Sequence, residues 1–216
     1  MQLSSRPPPR ARDRVPVRGD VVRLQIVTTA YRLFVEHGFA DVSVEQIADA
    51  AGLSRRTVYN KFLNKADIYR AAFEPVLAEL EDAAAFEVAP SDDPRRLLHD
   101  YADMMRKLLR RPELIDMMRV LVHEADKQRW LAQAYVTRFR TPIRSRFRAD
   151  LVRLIRIGRL PPLDPGLMSD QFFATTLGLL AMPRLLRLDG GGSPDTGDAM
   201  LRNAVEALLA GWGVAH

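Results

Sequence analysis

The sequence predicts an all-α protein with a small N-terminal three-helix domain built around a helix-turn-helix and a larger C-terminal helical domain. Three observations predict it. Apolar residues recur three and four apart along most of the chain, as Ile26, Ala30 and Phe34 do. No stretch alternates apolar and polar residues in the way of a half-buried strand. Helix-starting residues punctuate the chain: Ser43 with Gln46, then Ser54, Asn64 and the pair Asp164-Pro165. At 216 residues the chain has room for one large domain, or for a small domain and a medium one. The expected boundaries are a basic arm over 1–18, the helix-turn-helix domain over 19–66 and the second domain over 67–216.

The arm reads RPPPRARDRVPVR from Arg6. Prolines oppose a helix and apolar residues are scarce, so it is expected to be disordered or extended. Its five arginines face one acid, Asp13. It either follows phosphates or is a solvated tail. A first helix follows over 20–37 and is closed by Gly38. Ser43 and Gln46 form an S-x-x-Q capping box, which starts a second helix near Val44. Gly52 breaks that helix, and Ser54 caps a third running to about Phe62. Asn64 caps a fourth, expected to reach about Phe86 and to bend at Pro75.

Further helices are expected from Pro94, with Leu97, Leu98, Tyr101, Met105 and Leu108 inward, and from Pro112 to about Ala125. A long segment over 129–157 should kink at Pro142 and stop at Gly158. Asp164-Pro165 opens a helix to about Leu188, kinked at Pro183. The loop DGGGSPDTG precedes a last helix over 198–212.

Composition limits the function classes. Hydrophobic residues are 47% and charged residues 27%, ordinary for a soluble globular chain. With no cysteine, disulfides and thiol catalysis are excluded. The Arg- and Pro-rich start lacks the apolar run of a secretory signal, and no apolar run is long enough to span a membrane. A cytoplasmic location is expected. The net charge of +5 is all in the first third: residues 1–70 hold 12 Lys and Arg against 7 Asp and Glu, the rest 20 of each. Such asymmetry suits a contact with nucleic acid or an anionic surface, although a basic tail alone has the same effect.

The string SRRTVYNKF, residues 54–62, sharpens this. Only Val58 and Phe62 are plainly apolar, and the rest are cations, hydroxyls and an amide. A recognition helix needs only a thin stripe for attachment, because its other faces meet DNA. The stretch from Arg23 to Phe73, RLQIVTTAYRLFVEHGFADVSVEQIADAAGLSRRTVYNKFLNKADIYRAAF, resembles the DNA-binding domain of TetR/AcrR-type transcriptional regulators. The resemblance rests on Gly38-Phe39, Ser43, Ile47-Ala48, Ala51-Gly52-Leu53-Ser54, Thr57, Tyr59, Phe62, Lys65 and Ile68.

The resemblance implies a double-stranded DNA operator as partner. It gives Ser43 and Lys65 phosphate contacts, Thr57 and Tyr59 backbone contacts, and Arg55, Arg56 and Asn60 positions facing the groove. Ser54 and Lys61 complete the expected surface. Relatives often carry glycine at position 56 and histidine at 61, so Arg56 must reach out, in keeping with guanine recognition. The resemblance also implies a small-molecule effector, a homodimer and repression relieved by ligand. Effector-pocket candidates are Tyr101, Met104, Met105, Met118, His123, Trp130 and Phe139, each of which can equally be plain core. Inward acids are few, so an apolar or weakly polar effector is expected. Dimer-interface candidates are Phe172, Phe173, Leu177, Leu180, Leu201, Val205, Leu208 and Trp212, which can instead fill each subunit's own core.

Catalysis finds no support. His37, His99, His123 and His216 have no metal-ligand spacing, and Gly190-Gly191-Gly192 lacks the strand-loop-helix context of a phosphate loop. No cofactor and no metal are expected. An all-helical carrier or enzyme is the alternative class, and a DNA-binding adaptor without effector a third. Arginines at 138, 140, 144, 146, 148, 153, 156 and 159 surround one acid, Asp150; they make either a solvated face paired to acidic neighbours or an anion site.

Overall fold

The computed structural model describes residues 18–85, 88–124, 129–188 and 194–214, all in helices and their connections. The arm expected over 1–18 lies outside them except for Arg18, as do the glycine triplet and His216.

Helix α1 covers Arg18–Asp41 and is broken at Gly38, where φ is 79° and ψ 172°. A side chain rarely adopts that φ, and helical bonding resumes only briefly beyond it. Helix α2 (Val44–Ala50) starts with the expected capping box: the Ser43 hydroxyl accepts from the Gln46 amide and the Gln46 side chain accepts from the Ser43 amide. Helix α3 (Arg55–Tyr59) is capped by Ser54 and is shorter than expected, since Asn60 is already its C-cap. Helix α4 (Lys65–Ala85) begins with the Asn64 side chain accepting from the Asp67 amide and runs through Pro75 as one element.

Helices α5 (Pro94–Leu109) and α6 (Pro112–Glu124) follow, then α7 (Arg129–Tyr135). The segment expected to kink at Pro142 instead carries a π-helical turn, Val136–Arg140, before α8 (Thr141–Arg156). Pro142 has no N–H for the Arg138 carbonyl, and the Thr141 amide reaches five residues back to Val136. Helix α9 (Pro165–Leu180) ends well short of Leu188, and Met182–Leu185 forms a separate turn, α10. Pro183 withholds the N–H that the Leu179 carbonyl needs to continue the helix. Helix α11 (Pro194–Gly211) starts four residues before Asp198, with proline in the first helical turn, where its missing N–H costs nothing.

One apolar core runs through both domains. In the first, Ile26, Ala30, Phe34, Ile47, Ala48 and Val58 are wholly buried. Helix α4 joins the two, because Tyr69 stacks edge-on to Phe34 and Phe39, each at 5.1 Å, and lies 6.3 Å from Trp130 of α7. In the second, Phe147 of α8 sits at the centre of Tyr101, Phe172 and Phe173.

That packing changes the interface expectation. Phe172, Phe173, Leu201, Val205 and Trp212 are buried in the protomer's own core, and Leu177, Leu180 and Leu208 pack partly buried against it. The family resemblance implied a contact surface there and left the protomer's own core as the alternative, and α9 and α11 use those faces to hold each other and α5. Trp212 also donates from Nε1 to Oε1 of the Gln171 side chain at 2.9 Å.

Glu206 fastens α11 to α5 by accepting from His99 Nε2 at 2.9 Å and from Arg95. The His99 hydrogen bond, and the Arg95 guanidinium after it, hold the Glu206 carboxyl below the usual glutamate range. A depressed carboxylate stabilises the fold above its unfolded pKa, and the contribution fades as pH falls through the folded value. Thermal melts from about pH 6 to about pH 3 should show wild type losing more stability than Glu206→Gln over the lower part of that range.

Candidate nucleic-acid interface

Helices α2 and α3 meet at a turn in which Gly52 takes φ 64°. The Leu53 amide returns to the Ala48 carbonyl at 2.9 Å, which closes the turn. Helix α3 is held by Val58 at 0% exposure and by Phe62 just beyond it, with Arg23 of α1 lying 4.4 Å over the Phe62 ring. Its outward residues are Arg55, Arg56, Tyr59 and Asn60, with Lys61 following, and all five are exposed. Tyr59 keeps 50% of its surface outside, too much for a packing residue.

Most hydroxyls of the site are already ordered. Ser54 Oγ accepts from the Thr57 amide at 3.1 Å and lies 2.8 Å from Thr57 Oγ1, so the two hydroxyls share one edge of α3. Arg55 faces Glu45 at 3.3 Å across the turn, an exposed pair that is weak enough to be exchanged for a phosphate. Arg56, Tyr59, Asn60 and Lys61 have no side-chain hydrogen bond or ion pair among the described residues.

Lys65 departs from expectation. Its ammonium donates to the carbonyls of Phe39 at 2.7 Å and Val42 at 2.8 Å, and it lies 4.4 Å over the Phe39 ring. It closes the end of α1 instead of standing open to a phosphate. Arg23 and Arg70, on the same side as Lys61 beside a groove of about 450 Å³, were missed in the sequence reading; only the fold brings α1 and α4 next to that lysine.

The two parts of the chain each match a known sequence family. The model described as bacterial regulatory proteins, tetR family, matches residues 26–72, and that of the AefR-like transcriptional repressor C-terminal domain matches residues 96–214. The chain belongs to the TetR family. Among curated TetR-family relatives, the HTH-type transcriptional regulator BetI of Stenotrophomonas maltophilia is 36% identical over 38% of this chain and 43% of its own. The HTH-type transcriptional repressor AcnR of Corynebacterium glutamicum is 32% identical over 49% of this chain and 50% of its own. The alignments thus span half or less of the length of these relatives. A solved TetR-family regulator from Pseudomonas syringae superposes with a TM-score of 0.63 at 25% identity, covering 87% of this chain and 95% of its own. These relatives are transcriptional regulators.

The effector candidates do not converge on one site in this TetR-family chain. Met105, Met118 and Phe139 line a small inner cavity, together with Leu108, Leu109, Leu114, Tyr135 and Leu177, which the sequence reading missed. Tyr101 is buried against Phe147, and its hydroxyl donates to Asp150 at 2.8 Å. Met104 is core, Trp130 packs near Tyr69, and His123 is 71% exposed at the end of α6.

The inner cavity measures about 10 Å³, no more than a water's worth of space. A larger cleft of about 890 Å³ opens between α5, α6, α9, α10 and α11, within the range of small-molecule sites. The two share Leu109. The cleft carries Arg106, Arg110, Arg119 and Arg184 against Asp116 and Asp198.

Half of the arginine run over 138–159 is tied to the fold. Arg138 bonds Glu74 at 2.5 Å, Arg144 pairs with Asp170, Arg146 donates to the Ala84 carbonyl at 2.8 Å, and Arg153 pairs with Asp92. Neutralising Arg144, Arg146 and Arg148 together should leave affinity for DNA unchanged when it is measured by fluorescence anisotropy.

Proposed function

We propose that the chain is a DNA-binding transcriptional regulator that acts as a homodimer on a near-palindromic operator and is released by a small molecule. The observation that carries it is the surface of α3. Its inner stripe is locked by Val58, while Arg56, Tyr59, Asn60 and Lys61 stay exposed and without partners among the described residues. Two cations, a phenol and an amide gathered on one edge, with no internal side-chain bond to release among the described residues, suit a polyanionic surface. Ser43, Ser54, Thr57 and Arg55 flank it as backbone contacts. Lys65 supports the site from behind by fixing the end of α1. The test is anisotropy of the full chain on fragments of its source genome at varied salt. A tight, salt-sensitive subset supports the reading, and weak, sequence-indifferent binding overturns it.

A dimer follows from two half-sites. Because the apolar faces of α9 and α11 point inward, the contact falls on their outer faces. Leu167, Gln171 and Ala174 form an exposed stripe on α9, and Asn203, Ala207 and Ala210 another on α11.

For the effector, the cleft has the capacity and the inner cavity lies behind Leu109. Arg106 and Arg110 share Asp198, Arg119 holds Asp116 and Arg184 donates to the Leu109 carbonyl, which leaves the cleft a net positive charge. That surplus favours an organic acid with an apolar body, a more polar ligand than the sequence suggested. Tryptophan fluorescence titrations with carboxylate, neutral and cationic amphiphiles decide this. Binding restricted to the neutral or cationic set would rule out the acid.

A further inference from the structure

Helix α6 ends on a carboxylate in an unusual position. Glu124 is 2% exposed, yet its Oε2 has no hydrogen-bond partner among the described residues. Its Oε1 accepts from the backbone amide of Phe39 at 3.1 Å. Phe39 belongs to the DNA-binding domain and Glu124 to the other, 85 residues away. The neighbouring imidazole, His123, is 71% exposed and lies 3.9 Å from Oε1, so no buried charge partner comes from it. The hydroxyl of Tyr69, also buried, has no hydrogen-bond partner either, and burial together with Glu124 pushes its pKa up.

A buried carboxylate with so few bonds is a poor stabiliser, and an apolar side chain would fill the space at lower cost. Its use lies in what it holds. The break at Gly38 turns the Phe39 amide away from α1 and toward α6. The glycine also makes the approach possible, because a Cβ there would lie 2.7 Å from Glu124 Oε1. The carbonyl of Phe39 is gripped by Lys65, which also grips the carbonyl of Val42, just before the capping box of α2. Phe39 is therefore clamped on one side by α6 and on the other by the start of α4, a few residues from the helix-turn-helix. At its other end α6 is tied to α1 again, where the Tyr31 hydroxyl donates to the Glu113 carbonyl at 3.1 Å. Between these ties α6 lines both spaces of the C-terminal domain, with Leu114 and Met118 in the inner cavity and Ile115 and Arg119 in the cleft.

We propose that Glu124 is the positioning residue that couples the C-terminal domain to the pose of the helix-turn-helix, through its bond to the Phe39 amide. The inference rests on the regulator reading and adds the physical joint to it. A ligand that displaces α6 pulls on Phe39 and re-aims α2 and α3. By reciprocity, DNA that fixes α2 and α3 restrains α6.

The reciprocal direction can be tested without knowing the effector. Hydrogen exchange is followed by peptide in the full-length protein, alone and with a duplex fragment of the source genome that the wild type binds tightly. DNA should slow exchange several-fold in α2–α3 and also in α6. Glu124→Gln keeps an oxygen for the Phe39 amide and should retain both effects. Glu124→Ala should keep the slowing in α2–α3 and lose it in α6. Gly38→Ala attacks the same bond from the other side and should reproduce that loss, which decides the matter if Glu124→Ala does not fold. A purely structural role would lower the melting temperature and leave the α6 response in place. Slowing of α6 that persists in the alanine variants, or that is absent from DNA-bound wild type, overturns the proposal. A wild type that binds no fragment tightly sinks the regulator reading itself, a separate failure.

Discussion

Arg56→Ala should lower affinity for the cognate operator by roughly tenfold to a hundredfold, about 1–3 kcal/mol, and leave binding to random DNA nearly unchanged. Arg56 lies on the outer face of a five-residue helix, exposed and with no side-chain partner among the described residues. No internal bond has to break before it meets a base edge. The free protein also gains nothing from it, so melting temperature should hardly move. A guanidinium in the major groove donates two bonds to one guanine, and the discrimination falls on a single base pair. Tyr59→Ala is the internal comparison. The proposed site gives its hydroxyl to the DNA backbone, so its loss should weaken binding to all sequences alike. Anisotropy on the operator, on single-base variants and on random duplex separates the two. Equal losses for Arg56→Ala on operator and random DNA would reject the guanine assignment.

Phe147→Ala should destabilise the protein by about 3–5 kcal/mol, a large share of a typical domain's stability. The ring is wholly buried and contacts Tyr101 at 4.7 Å, Phe172 at 4.6 Å and Phe173 at 5.6 Å. Three helices meet on it, so the cavity cannot close by moving a single side chain. The neighbouring Tyr101 hydroxyl would also lose the packing that aims it at Asp150. Urea denaturation followed by circular dichroism measures the effect. A loss below about 1 kcal/mol would mean that the rings collapse into the gap and that Phe147 is not the hub.

The N-terminal domain was legible because its instructions are local. Ser43 with Gln46, Ser54 with Thr57, and Asn64 with Asp67 each satisfy a helix end within three residues, so sequence spacing alone predicts them. Gly38 and Gly52 likewise mark positive φ where they stand. The exposed face of α3 followed from the same logic, since Val58 and Phe62 leave every other side outward.

Tertiary structure decided what depends on partners far along the chain. An apolar stripe says that a helix buries a face but not against what, and Phe172 and Trp212 turned inward where a subunit contact was equally compatible. Lys65 reads as a free cation in sequence, yet in space it lies beside carbonyls 23 and 26 residues away. The effector candidates scattered because one residue in three or four on every helix points inward, and only the packing of α5, α6, α7, the π-helical turn and α9 selects those that share a cavity. Glu124 carries no local signal at all, because the amide it holds is 85 residues away and reaches it only through the break at Gly38. Short-range hydrogen bonding determined where the helices start, and the spacing of Val58 and Phe62 determined the exposed face of α3. Long-range packing decided which side chains those helices spend on each other.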